Sequence, residues 1–71
     1  MQFHDRLAVL MEDRRLTIYR LSKDLDITTS LISYWCRGMR QPAMDNLIKL
    51  ANYFGVSIDY LVGQSDDPER R

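Results

Sequence analysis

The chain has 71 residues, 45% hydrophobic and 28% charged, with ten basic residues balanced by ten acidic ones. This describes a single folded domain with a modest core, and zero net charge argues against a uniformly basic polyanion binder. One cysteine, Cys36, and one histidine, His4, exclude an internal disulfide framework and a structural zinc site.

The balanced total hides an uneven distribution. From Arg14 to Lys49, seven basic residues stand against Asp24, Asp26 and Asp45, a local net charge of +4. The acidic surplus falls toward the two ends, at Asp5, Glu12, Asp13, Asp59, Asp66, Asp67 and Glu69. A neutral chain with a basic middle can present a basic face. The residues after Met1 are polar (Gln2, His4, Asp5, Arg6), so no signal peptide is expected. No apolar run approaches the roughly 18 residues of a membrane helix. The expectation is a complete small protein located in the cytoplasm, with no membrane contact.

The elements follow in chain order. A first helix is predicted over about Gln2 to Arg15, with Phe3, Leu7, Leu10 and Met11 forming one apolar stripe. Thr17 is a good N-cap for a short second helix carrying Leu21 and Leu25, with the small Ser22 between them. Asp26-Ile27-Thr28 has the composition of a tight turn, because Asp tolerates positive φ. Thr28 can cap a third helix, about Thr29 to Arg37, whose inner face holds Ile32 and Trp35 and whose stop signal is Gly38. After a loop through Pro42, a fourth helix spans about Met44 to Phe54, with Leu47, Leu50, Ala51 and Phe54 on one side and Gly55 at its end. Ser57 caps a short fifth helix carrying Ile58, Leu61 and Val62. Residues 64–71 are almost wholly polar and are expected to form a flexible tail after a domain of residues 1–63.

No catalytic set, glycine-rich phosphate loop or metal-ligand cluster stands out, so neither an enzyme nor a cofactor or small-molecule site is expected. What stands out is Ile18 to Gly38: two short helices joined by a three-residue turn. A helix that enters the DNA major groove must stand proud of the core and be braced by another crossing it. Leu21, Ser22, Leu25, Ile27, Ile32 and Trp35 supply the brace, and the outward positions of the third helix stay free.

The segment LTIYRLSKDLDITTSLISYWCRGMRQP resembles the helix-turn-helix region of the Cro/CI (XRE) family of transcriptional regulators. NLIKLANYFGVSIDYLVG resembles that family's fourth and fifth helices, so the likeness reaches Gly63. The resemblance implies an all-α, five-helix, lambda-repressor-like domain that binds double-stranded DNA. It implies base reading by Thr29, Ser30 and Tyr34, with Ser33 beside them. It implies phosphate contacts from Thr17, Thr28, Arg37, Arg40 and Gln41. It places a dimer contact at Ile58, Tyr60 and Val62, so a homodimer on a palindromic operator is expected, acting as a repressor. The chain departs from the family pattern at Ile18, where relatives carry a glutamine that helps hold a phosphate; that contact is lost or replaced. It departs mildly at Ser22 and Asp26, and at Cys36 it lacks a glutamate common in relatives, so a local ion pair typical of them is absent. Zero net charge and the Ile18 departure leave one alternative open, an antitoxin-like or antirepressor-like module using the same fold to bind a protein.

Overall fold

A computed structural model describes residues 1–69; Arg70 and Arg71, the end of the expected tail, lie outside the described residues. Five helices and no strand make up the described chain: α1 (Phe3–Asp13), α2 (Ile18–Leu25), α3 (Thr29–Cys36), α4 (Met44–Phe54) and α5 (Ile58–Leu61). This is the expected all-α class and helix order, with α4 matching its expected bounds.

Four of the five helices start where the sequence supplies an acceptor for a free backbone N–H, whereas α4 follows Ala43, which offers no side-chain cap. Thr17 Oγ1 accepts from the Arg20 N–H (3.1 Å), Thr28 Oγ1 from the Leu31 N–H (3.3 Å) and Ser57 Oγ from the Tyr60 N–H (3.1 Å). At α1 the Asp5 carboxylate accepts from the Gln2 N–H (3.2 Å), which makes Gln2 the cap rather than the first helical residue.

Helix α1 also stops earlier than expected. Arg15 adopts the left-handed conformation (φ 54°), and the Leu16 N–H turns back to the Met11 carbonyl (2.8 Å). Glycine normally fills such a position, so an arginine there gives no signal in the sequence. Asp26 takes the left-handed conformation (φ 56°) that the turn requires. Gly38 (φ 71°) follows α3, and the Met39 N–H bonds back to the Tyr34 carbonyl (2.9 Å). The third helix therefore ends one residue short of Arg37.

The apolar stripes converge on one core. Leu7, Leu21, Ile32, Trp35, Leu50 and Leu61 are fully buried, one or two from each helix. Phe3 meets Trp35 edge-on (6.3 Å, 81°), an arrangement worth about 0.5–1.5 kcal/mol beyond burial. The Trp35 indole N–H is buried with no hydrogen-bond acceptor among the described residues. Helix α1 packs against α3 and α5, α2 against α3, and α4 against α5.

Two arginines join elements far apart in sequence. Arg6 is only 6% exposed. Its Nε donates to the Tyr60 carbonyl (3.0 Å), and its Nη2 to the Ser65 carbonyl (3.2 Å) and Asp66 Oδ1 (3.4 Å). Its guanidinium lies 3.8 Å from the Tyr60 ring centroid. Arg14 donates to the carbonyls of Tyr53 (3.2 Å) and Phe54 (2.7 Å) at the end of α4, where a positive charge is favoured by the helix dipole. The segment after Gly63 thus makes specific contacts, including a Ser57 N–H donated to the Pro68 carbonyl (3.1 Å).

Candidate nucleic-acid interface

The two helices around the turn are held by their own side chains. The Ser22 hydroxyl donates to the Ile27 carbonyl (2.5 Å), while the Ile27 N–H donates to the Ser22 carbonyl (3.2 Å). Ser22 therefore fixes the turn directly, beyond being small. The Tyr53 hydroxyl of α4 donates to Asp24 Oδ2 (2.6 Å), and Arg20 Nε donates to the same oxygen (3.2 Å). The Tyr53 hydrogen bond, and after it Arg20, holds the Asp24 carboxyl below the usual carboxylate range; the same bond raises Tyr53. This tie between α2 and α4 was not foreseen, since nothing local marks residues 29 positions apart as partners.

With Ile32 and Trp35 buried, the 3.6-residue period turns Ser30, Ser33 and Tyr34 outward, and Thr29 is exposed as the first residue of the helix. Thr29 and Ser30 are exposed, and Ser33 and Tyr34 half-buried. All four line one recess of about 290 Å³ together with Arg37 and Ile18. The expected base-reading residues and one expected phosphate contact are thus brought to one place. Thr17 caps the helix that contributes Ile18, and Thr28 caps the helix that contributes the rest.

The guanidinium groups of Arg37 and Arg40 each lie 5.2 Å from the centroid of the Tyr34 ring. Arg37 is one helical turn beyond Tyr34, so its approach follows from the period; Arg40 reaches the same ring only because Gly38 reverses the chain. Two positive charges therefore sit beside a rim of hydroxyls, a combination suited to an anionic, hydrogen-bonding partner. Gln41 is exposed in the loop that follows. Cys36, half-buried behind this face, approaches Met11 Sδ (3.9 Å), and burial raises its thiol pKa.

The expected dimer residues lie elsewhere. Ile58 lines a second recess of about 360 Å³ with Ile48, Val56, Asp59, Asp67 and Glu69. Tyr60 is half-buried with one ring face toward Arg6, and Val62 is half-buried at the C-cap of α5. The structure does not bring these three to the α3 recess.

An exposed α3 crossing a bracing α2, with a capped turn between, defines a helix-turn-helix module. Comparisons with known proteins agree. Residues 7–61 match the family described as Helix-turn-helix. The chain is 33% identical over 64 residues to the uncharacterized HTH-type transcriptional regulator YobD of Bacillus subtilis, covering 90% of this chain and 57% of that protein. It is 32% identical over 62 residues to the HTH-type transcriptional activator BcrR of Enterococcus faecalis, covering 87% of this chain and 30% of that one. A crystal structure of a transcriptional regulator from Listeria innocua superposes with a TM-score of 0.82 at 35% identity, covering 87% of this chain and 58% of that one. The chain belongs to the helix-turn-helix family, of the XRE type. It spans little more than half the length of two of these relatives and less than a third of the other.

Proposed function

We propose that the protein is a sequence-specific double-stranded DNA-binding regulator that lays α3 in the major groove. The observation that carries this reading is the single recess in which Thr29, Ser30, Ser33, Tyr34 and Arg37 meet on the exposed side of α3. Short hydroxyls donate to or accept from several base edges, and the Thr29 methyl can meet a thymine methyl. Arg37 and Arg40 beside Tyr34, Gln41 after them, and the N-termini of α2 and α3 capped by Thr17 and Thr28 grip phosphates on either side. None of the four groove-facing residues offers the two-pronged contact of Arg, Asn or Gln. Direct readout is therefore modest, and DNA shape and bridging water supplement it.

A second copy related by two-fold symmetry through Ile58, Tyr60 and Val62 presents two recognition helices to a palindromic operator with half-sites about one helical turn apart. In the cytoplasm such a dimer represses by covering a promoter. One of the similar proteins is named an activator, and a promoter-reporter assay separates the two directions.

The test is selection of binding sites from a random duplex pool, followed by affinity against salt. Enrichment of a short palindrome, with affinity falling steeply as salt rises, is the expected result. Arg37→Ala should weaken binding to all duplexes and lower the salt slope by about 1, while Thr29 and Tyr34 substitutions alter sequence preference. No enrichment at low salt overturns the DNA reading and directs the search to a protein partner.

A further inference from the structure

One lining residue of the α3 recess is unlike the others. Thr29, Ser30, Ser33, Tyr34 and Arg37 all carry hydrogen-bonding groups; Ile18 carries none. Ile18 is the first residue of α2, directly after the Thr17 cap. It is only half-buried: part of its side chain packs against the core and part lines the recess. An apolar group there neither binds phosphate nor pairs with a base donor or acceptor. Leaving it against water wastes the apolar contact it offers. The major-groove edge provides one hydrocarbon feature, the 5-methyl group of thymine.

We infer that Ile18 is a specificity-determining residue that receives the methyl group of one thymine in each half-site, so that α2 as well as α3 reads the DNA. This rests on the DNA-binding reading above. The recess supplies the geometry: a base edge held by the Thr29, Ser30 and Ser33 hydroxyls places the methyl of the same or a neighbouring base pair over Ile18. The recess is open to solvent at about 290 Å³, and a base edge seated in it takes the methyl and the exposed part of Ile18 out of water together. Arg37 at the recess edge fixes the backbone of that nucleotide by charge.

The test uses the duplex found by selection, with each thymine replaced in turn by uracil, which removes the methyl and nothing else. In the natural chain one thymine position per half-site should be sensitive. Burial of one methyl corresponds to about a four-fold loss of affinity. The same scan on Ile18→Ala and Ile18→Gln, each verified as folded by circular dichroism, should show no loss at that position, because the methyl then meets no partner. The inference is overturned if no thymine is sensitive in the natural chain, a measurement that needs no variant. It is also overturned if the sensitive thymine stays equally sensitive in both variants, which would assign the methyl to another residue such as Thr29. A failed selection strikes the DNA reading itself, whereas a successful selection with a flat uracil scan strikes only the role of Ile18.

Discussion

Replacing Arg6 should unfold this domain more readily than any other single change of a charged residue. Its guanidinium is buried and donates to two backbone carbonyls, at Tyr60 and Ser65. Hydrogen bonds from a charged donor contribute about 1.5–3 kcal/mol each. The Tyr60 ring at 3.8 Å adds about 1 kcal/mol. The Asp66 carboxylate is fully exposed, so its pairing with Arg6 adds little. Taking the lower bond value, Arg6→Met, which keeps the apolar stem, should cost about 3–4 kcal/mol. A chain of this size has a total stability of about 4–10 kcal/mol, so the variant should be close to half unfolded at the low end of that range. Urea denaturation followed by far-ultraviolet circular dichroism measures this directly, with an unchanged slope indicating that only stability has moved. Asp66→Ala should change the midpoint little. A loss under about 1 kcal/mol for Arg6→Met would refute the reasoning, because the two carbonyl contacts would then give no net stabilisation over hydration.

Three further outcomes follow from backbone and charge. Arg15→Gly should raise stability by up to about 1 kcal/mol in the same titration, since glycine removes the left-handed penalty at φ 54° and loses part of that gain to chain entropy. Gly63→Ala should cost about 1–3 kcal/mol more than Gly55→Ala in thermal melts: both have positive φ, but a Cβ at Gly63 would overlap the Met1 carbonyl oxygen, whereas one at Gly55 meets open space. The Tyr53 hydrogen bond lowers the folded Asp24 pKa, so its stabilisation is present above the unfolded carboxylate value near pH 4 and lost as pH falls through the folded value. Tyr53→Phe should therefore flatten the acid limb of a stability–pH profile, and an unchanged limb counts against the tie.

What the sequence made legible was local. The caps at Thr17, Thr28 and Ser57, the turn at Asp26 and the buried stripe of each helix all depend on residues within a few positions of one another. The grouping of Ser30, Ser33 and Tyr34 on one side of α3 followed from its period for the same reason, with Thr29 joining them from the helix start. What escaped depends on distant partners. Arg6 resembled any exposed helical arginine until Tyr60, 54 positions away, supplied an acceptor. Arg14, first counted with the basic middle, directs its guanidinium to the end of α4 instead. Ile18 registered only as a missing glutamine, because its place beside Ser33 and Arg37 depends on how α2 crosses α3.

The approach of Met1 to Gly63 joins the two ends of the domain, and it has a consequence for the order of events during synthesis. Helix α1 leaves the ribosome before the other four helices, but the acceptors for its Arg6 leave only after α2, α3 and α4. Helix α5, at four residues, is too short to hold its shape alone. A nascent chain that stops before Tyr60 can pair α1, α2 and α3, yet keeps Arg6 hydrated and leaves the socket of Leu61 empty. The α2–α3 pair can thus assemble early, and the clasp that ties it to the rest of the domain closes only when the final turn of α5 has been made.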